Sequence, residues 1–272
     1  MKELVLEAAE FIRGRSPLQF KWGIILGSGL GSLADEVVQR VTIDYSSIPH
    51  FPQSRVPGHE GQMVCGFLSG VPVVALKGRV HYYEGYQTSE VAFPVRVFKA
   101  LGIANLCTTN AVGGLSGSFK VGDIMLVQDH INFLPSPLKG PHDPFFGERF
   151  PSLFRAYDPM LQDLAEKAAS KVGIPLKKGV LASVPGPHFE TLAELKALRI
   201  IGADAVGMSV TPETIAARQM EMKVLAFSVI TDLDPSLGGE ELSHDAVLKA
   251  AKDAASNLAK IIKEVISLHE GS

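Results

Sequence analysis

The residue types best suited to chemistry crowd into Gly78-Arg79-Val80-His81-Tyr82-Tyr83-Glu84-Gly85-Tyr86, where one Arg, one His, three Tyr and one Glu fall within nine residues. Arg79 offers a fixed, always-charged fork that suits a phosphate-type anion. His81 can donate to the same anion or move a proton near neutral pH. The alternative is a tyrosine-rich packing turn beside a surface ion pair. The run follows Val71-Pro72-Val73-Val74-Ala75-Leu76, which reads as a buried strand. A strand ending in such a loop delivers side chains to the sheet edge where α/β proteins keep their ligands.

Further candidates lie along the chain. Gly27-Ser28-Gly29-Leu30-Gly31 follows an apolar run directly, and glycines bring backbone N–H groups close to an anion. The spacing is not that of the dinucleotide fingerprint, the ribose-binding acid of that motif is missing, and no Walker lysine follows. Asn110-Ala111-Val112-Gly113-Gly114-Leu115 reads as a second glycine-rich loop. Three subsets emerge. Arg79, His81, Ser28, Ser209 and the N–H groups of both loops fit an anion. Phe189 fits the face of a planar heterocycle, with Glu190 and Asp232 at its edge. Tyr83, Met208 and His244 fit a sugar. Together they suggest a nucleoside or nucleotide enzyme, and by themselves they leave hydrolysis, phosphorolysis and simple binding open. Lone histidines in loops are mostly structural or solvated, and His130, His142, His188 and His269 are read that way. No His/Cys spacing matches a zinc site.

The elements that must position these groups alternate. Apolar spacing predicts a helix over 3–12 and buried strands at Trp22–Leu26 and Ala104–Thr109. Met63–Leu68 and Val71–Leu76 form a hairpin about Ser69-Gly70. Ser89–Leu101 has helical spacing, and Pro94, inside that run, counts against its opening turn. Ile124–Val127, Gly179–Val184 and Val224–Ile230 read as further strands, and Ala205–Ser209 as a short strand and turn. Met160–Val172, Thr191–Ile201 and Pro212–Met222 read as helices, and Ser243 caps a long final one. The segment 131–158 is irregular and rich in Pro, Gly and Phe, and Phe145, Phe146 and Phe150 need a core contact, a lid position or another subunit. The pattern predicts an α/β fold: one domain over 1–272, with a central mixed, largely parallel sheet flanked by helices. The loops after the strands then share one end, bringing Ser28, Arg79, Ala111, Glu190, Ser209 and Asp232 to one cleft.

Composition narrows the classes. The 272 residues carry 26 basic and 29 acidic side chains, a net charge of −3, with no basic stripe for nucleic acid. Cys65 and Cys107 sit in apolar runs and read as buried thiols in a reducing compartment. No signal-type or membrane-spanning run is visible, so a cytoplasmic location and no membrane partner are expected.

A set of motifs then carries a family resemblance: Leu26-Gly27-Ser28-Gly29-Leu30-Gly31, Val56-Pro57-Gly58-His59, Gly78–Tyr86, Thr109-Asn110-Ala111, Gly114-Leu115, Arg149-Phe150-Pro151, Gly186-Pro187-His188-Phe189-Glu190-Thr191 and Gly202–Ser209. In this order, over nearly the whole chain, they resemble the trimeric purine nucleoside phosphorylases. The resemblance implies reversible attack of phosphate on C1′ of a purine nucleoside, giving free base and (deoxy)ribose 1-phosphate. It implies that Ser28, His59, Arg79, His81, Ser209 and the Ala111 N–H hold phosphate, that Phe189, Glu190 and Asp232 hold the base, and that Tyr83, Met208 and His244 hold the ribose. Among these, Asp232, His81 and Glu190 would be catalytic. It further implies a homotrimer in which Phe150 reaches the neighbouring subunit's site, and no metal or organic cofactor, phosphate being a co-substrate.

The sequence departs from that pattern at one position. The 6-oxopurine-specific members carry Asn where this chain has Asp232. An ionised Asp only accepts and would repel O6, whereas a protonated one can donate to N7 and accept from a 6-amino group. Thr231-Asp232-Leu233-Asp234 resembles the Thr-Asp-x-Asp of methylthioadenosine phosphorylases, the alternative reading. Glu190 suits the N1–H of hypoxanthine or guanine, and His244 favours a 5′-hydroxyl. The expectation is a 6-oxopurine enzyme that tolerates adenosine through Asp232. Asp234 is expected as a turn residue before Pro235.

Overall fold

A computed structural model describes residues 1–54, 56, 59–238 and 244–271, with only the backbone of His244. The helices are α1 (Lys2–Arg15), α2 (Thr88–Val91), α3 (Phe93–Ala100), α4 (Pro159–Val172), α5 (Leu192–Ile200), α6 (Thr211–Gln219) and α7 (His244–Glu270). The strands are β1 (Trp22–Leu26), β2 (Val38–Asp44), β3 (Gln62–Leu68), β4 (Val71–Lys77), β5 (Asn105–Gly114), β6 (Ile124–Asn132), β7 (Leu176–Ser183), β8 (Ala205–Gly207) and β9 (Lys223–Leu233).

The sheet is mixed, as expected, and it also closes on itself. Its order is β2-β3-β4-β1-β5-β8-β7-β6-β9, and β9 pairs back onto β5. Strands β5, β8, β7, β6 and β9 therefore form a ring, with β1, β4, β3 and β2 extending from it as an open wing. Pairings β1–β4, β1–β5, β5–β9, β6–β7 and β7–β8 are parallel; β2–β3, β3–β4, β5–β8 and β6–β9 are antiparallel. The first half of β5 pairs with β1, and its last two residues, Gly113 and Gly114, pair with β8.

Period-two alternation divides the core. On β1 and β4, Trp22, Ile24, Leu26, Val73 and Ala75 face a cluster with α4 and α7, including Leu161, Ala165, Leu258 and Ile262. Ile25, Val74 and Leu76 face the opposite cluster, with Val5 and Ile12 of α1 and Val95 and Phe98 of α3. Gly23 lets α3 approach, because a Cβ there would lie 2.3 Å from the Phe98 ring.

Three expectations are corrected and one element is added. Asn110–Gly114 is strand, the continuation of β5, because its glycines serve close packing inside the ring: a Gly113 Cβ would meet Asp232 Oδ2 at 2.8 Å, and one on Gly114 would meet Leu233 Cδ2 at 2.9 Å. The Ser89–Leu101 helix is two helices, broken at Ala92 with Pro94 in the first turn of α3. Residues 31–36 after the first glycine turn form a 3-10 helix. β9 runs on through Asp232, which is a strand residue. The Ser243 cap lies outside the described residues. Among those described, no helix is long and apolar enough to cross a membrane.

Candidate active site

A cleft of about 380 Å3 opens where the ring meets the wing. Its lining includes Ser28, Arg79, His81, Tyr83, Ala111, Phe189, Glu190, Met208, Ser209 and Asp232. The convergence expected from the strand ends is present for Ser28, Arg79, Ala111, Glu190, Ser209 and Asp232, and His81, Tyr83, Phe189 and Met208 join them. His59 stands just behind, with Nε2 2.8 Å from Ser28 Oγ. Phe150 is 87% exposed and does not line this chain's cleft. The expectation for His244 concerns its side chain, which lies outside what is described. Asp234 is a buried turn residue: it accepts from the Ser236 N–H at 2.8 Å and pairs with Arg199 at 2.9 Å.

One end of the cleft is built from β4, β5 and the start of α6. β4 leads into Gly78, whose φ of 106° and close packing on His59, 2.7 Å from where a Cβ would sit, both call for glycine. The Arg79 guanidinium is then buried. Its Nη1 donates to the Thr109 carbonyl at 2.5 Å and to Ser209 Oγ at 3.3 Å, and Nη2 donates to Thr108 Oγ1 at 2.5 Å. Glu213 in the first turn of α6 lies 2.9 Å from Nε. Between Ser209 and that helix, Val210 is held at φ 79°, ψ −48°. A β-branched residue at positive φ is strained, and such strain collects where a loop must hold one geometry for a ligand.

His81 is oriented by its own turn. Glu84 Oε1 accepts from the His81 backbone N–H at 2.8 Å and lies 2.9 Å from Nδ1. That contact puts the ring proton on Nδ1 and leaves Nε2 as an acceptor while the ring is neutral. Burial holds the His81 pKa below its usual value, against the pull of Glu84. Tyr83 stacks on His81 with ring centres 4.7 Å apart, and burial pushes its phenol up to about 12. His59 is brought down to about 3, by burial first and then by His81; its Nδ1 rests against the Arg79 backbone, 2.9 Å from the N–H. Two neutral imidazoles, a guanidinium and two hydroxyls therefore face one region.

The other end is acidic. The chain between β7 and α5 carries Phe189 and Glu190, and packs on Met208 so closely that a Cβ on Gly186, at φ 64°, would lie 2.3 Å from Sδ. Thr191 then starts α5 with a reciprocal Thr191–Glu194 cap. Burial raises the Glu190 pKa, and the nearby Asp232 charge raises it further. Asp232 is raised by burial as well, against a hydrogen bond at 2.9 Å from Thr231 Oγ1 to Oδ1. Such an arrangement can grip a small anion at one end and hydrogen-bond a polar ring edge at the other. Among the described residues no cluster of His, Cys, Asp and Glu fits a metal ion.

Sequence reasoning missed Glu213, whose place in a helix's first turn is ordinary for an acid, and Lys77, buried between Glu60 (2.7 Å) and Asp35 (3.0 Å) beneath the first glycine turn. It also gave no role to Glu84. Nothing short of burial and contact marks the first two.

This ring-and-wing α/β architecture, with its cleft at the junction, is that of the phosphorylase superfamily, whose family model matches residues 21–267. The chain is 47% identical over 271 residues to purine nucleoside phosphorylase 1 of Bacillus subtilis, covering 99% of this chain and 100% of that one. It is 44% identical to purine nucleoside phosphorylase of Bos taurus, covering 94% and 91%. It superposes with a TM-score of 0.92 on the crystal structure of a Schistosoma purine nucleoside phosphorylase in complex with hypoxanthine, at 39% identity, covering 97% and 96%. The structure of Schistosoma mansoni purine nucleoside phosphorylase in complex with adenosine gives the same TM-score, identity and coverage. The chain belongs to the purine nucleoside phosphorylase family.

Proposed function

We propose that the chain catalyses the reversible phosphorolysis of purine nucleosides, joining phosphate to C1′ of the sugar and releasing the base. The observation that carries this reading is the single cleft with Arg79, Ser209, Ser28 and Ala111 at one end and Glu190 and Asp232 at the other. Phosphate binds among Arg79, Ser28, Ser209, His59 and the Ala111 N–H. Neutral His81, with its Nδ1–H committed to Glu84, accepts at Nε2 a hydrogen bond from the anion's remaining hydroxyl, which keeps its proton. Tyr83, Met208 and His244 hold the ribose, and Phe189 covers the base. No metal or organic cofactor takes part.

The glycosidic bond breaks ahead of bonding to the nucleophile. Positive charge develops on the sugar, where the phosphate dianion stabilises it, and negative charge develops on the purine. A donor aimed at that charge is worth about 3 kcal/mol. Asp232, inclined to protonation by its burial, donates to N7, and Glu190 accepts from N1–H of a 6-oxopurine. The preference is for inosine and guanosine, with adenosine tolerated because protonated Asp232 can accept from a 6-amino group. That one relative is known in complex with adenosine supports the tolerance. The ion pairing of Asp234 with Arg199 weighs against the methylthioadenosine reading, since it takes the second acid of that motif away from the cleft. The exposed Phe150 favours a homotrimer in which it completes a neighbour's site.

The test is loss of inosine and of adenosine with and without inorganic phosphate. Phosphate-dependent release of base with ribose 1-phosphate is expected, faster from inosine. Cleavage without phosphate would make the protein a hydrolase and remove the role given to Arg79. Turnover of methylthioadenosine alone would replace the reading.

A further inference from the structure

The reaction outlined above gives no role to Glu213, although its side chain is only 1% exposed and is one contact away from the cleft. It sits in the first turn of α6, where the helix dipole favours a negative charge. Its Oε1 lies 2.9 Å from Arg79 Nε, and the Arg79 side chain is 4% exposed. Neither carboxylate oxygen accepts a well-aimed hydrogen bond. The pair is therefore held by charge more than by directed bonding, and a buried carboxylate in that condition is costly unless its charge has a use.

Arg79 lines the cleft and Glu213 does not, so the carboxylate stands behind the guanidinium as seen by a ligand. The two terminal nitrogens of Arg79 are already fixed by Thr109, Ser209 and Thr108. What those neutral acceptors cannot supply is a counter-charge. Glu213 supplies it when no anion is bound. Once a dianion arrives, the same carboxylate is a like charge beside it.

We infer that Glu213 is a positioning residue that sets how tightly the Arg79 end holds its anion: it steadies the guanidinium through Nε, and its charge keeps phosphate affinity below what Arg79 alone would give. The inference rests on the phosphorylase reading. It means that the site trades some grip on phosphate for release of the phosphorylated sugar, which leaves through the same contacts. Removing the charge while keeping the shape should tighten the anion and leave the nucleoside end alone.

The experiment compares wild type, Glu213→Gln and Glu213→Asp. It measures KM for phosphate at saturating inosine, KM for inosine at saturating phosphate, and Tm with and without phosphate. Glu213→Gln is expected to lower the phosphate KM at least about threefold, with the inosine KM within about twofold of wild type. Phosphate should raise the Tm of Glu213→Gln by more than that of wild type, since the anion takes over the missing counter-charge. Glu213→Asp, which keeps the charge one methylene further away, should show a smaller fall confined to phosphate. If Glu213→Gln leaves the phosphate KM unchanged or raises it, or moves both KM values together with no added stabilisation by phosphate, the inference is overturned and Glu213 is a packing acid. Should Glu213→Gln prove insoluble, Glu213→Asp decides: a fall in the phosphate KM alone supports the inference, and no change or a joint change overturns it. A wild-type enzyme with no phosphate dependence overturns the phosphorylase reading itself, a failure visible before either variant is compared.

Discussion

Asp232 and Glu190 are two carboxyls whose burial pulls both toward the protonated form, and the charge of Asp232 adds to the effect on Glu190. A carboxyl raised in this way can stay protonated and donate a hydrogen bond; in the proposed site that role falls to Asp232, while Glu190 accepts. Asp232→Asn replaces a group that can be either acceptor or donor at one oxygen with an amide whose N–H2 suits O6. The ratio of adenosine to inosine kcat/KM is expected to fall about tenfold, one hydrogen bond's worth of discrimination. A ratio unchanged by the substitution would mean Asp232 does not govern the 6-position. His59 supplies a second test, of stability. Its folded pKa of about 3 lies below the ordinary value of 6.5. As pH falls below about 6.5 the unfolded chain takes up a proton that the folded chain refuses, so stability is lost progressively down to about 3. In His59→Gln that contribution disappears. Urea midpoints between pH 7 and 4 should fall less steeply in the variant, with a residual slope from His81 and His130, which burial lowers too. Equal slopes would show that His59 is not held neutral. The groups that face the cleft were legible from sequence because motif and residue type both marked them. Glu213 and Lys77 were not, since an acid in a helix's first turn and a lysine at a strand's end look ordinary until their burial is known.

At the scale of elements, the glycines decide what can close on what. Gly27 ends β1 against β5: a Cβ there would lie 2.8 Å from the Thr109 carbonyl oxygen and 2.9 Å from the Asn110 Cα, both backbone atoms. Neither can swing aside, so Gly27→Ala should cost about 1–3 kcal/mol of stability and displace Ser28 from the anion end. Gly117, with nothing within 4 Å of its Cβ position, is the control, and Gly117→Ala should leave the unfolding midpoint unchanged. Equal effects at the two sites would refute the packing argument. The same physics explains which elements the sequence displayed. β1, β3 and β4 are buried apolar runs and were readable as such. Strand β2 escaped because most of it is exposed and a bulge between Val38 and Val41, with Gln39 at φ 49°, breaks its period of two. The end of β5 looked like a loop because its glycines answer to neighbours in the ring, β8 and β9, which are distant in sequence. Ring closure depends on the β5–β9 register and has no local signal at all.

For the whole molecule, the segment 131–158 holds an unusual share of bare aromatic surface. Phe150 is 87% exposed, Phe154 78%, Phe133 50% and Phe145 42%, while Phe146 is buried beneath the Arg96 guanidinium, 4.6 Å away. Single exposed apolar residues are ordinary, but four phenylalanines in one segment form the kind of surface that proteins cover with another chain. The fold spends Arg96, itself buried and donating to the Pro137 carbonyl, on holding this segment in place. A trimer with Phe150 entering the adjacent cleft accounts for both facts, and it carries a prediction that no single-chain model makes. Sedimentation should give three times the 29.2 kDa chain mass. Phe150→Ala should raise the nucleoside KM several-fold although its own cleft keeps every lining residue. Co-refolding Phe150→Ala chains with Asp232→Ala chains should then restore near-normal nucleoside affinity to a fraction of sites, because an intact cleft on a Phe150→Ala chain would borrow Phe150 from its neighbour. A monomeric mass, or mixtures no better than the sum of the two variants, would place Phe150 outside the catalytic assembly and leave the aromatic surface to some other contact.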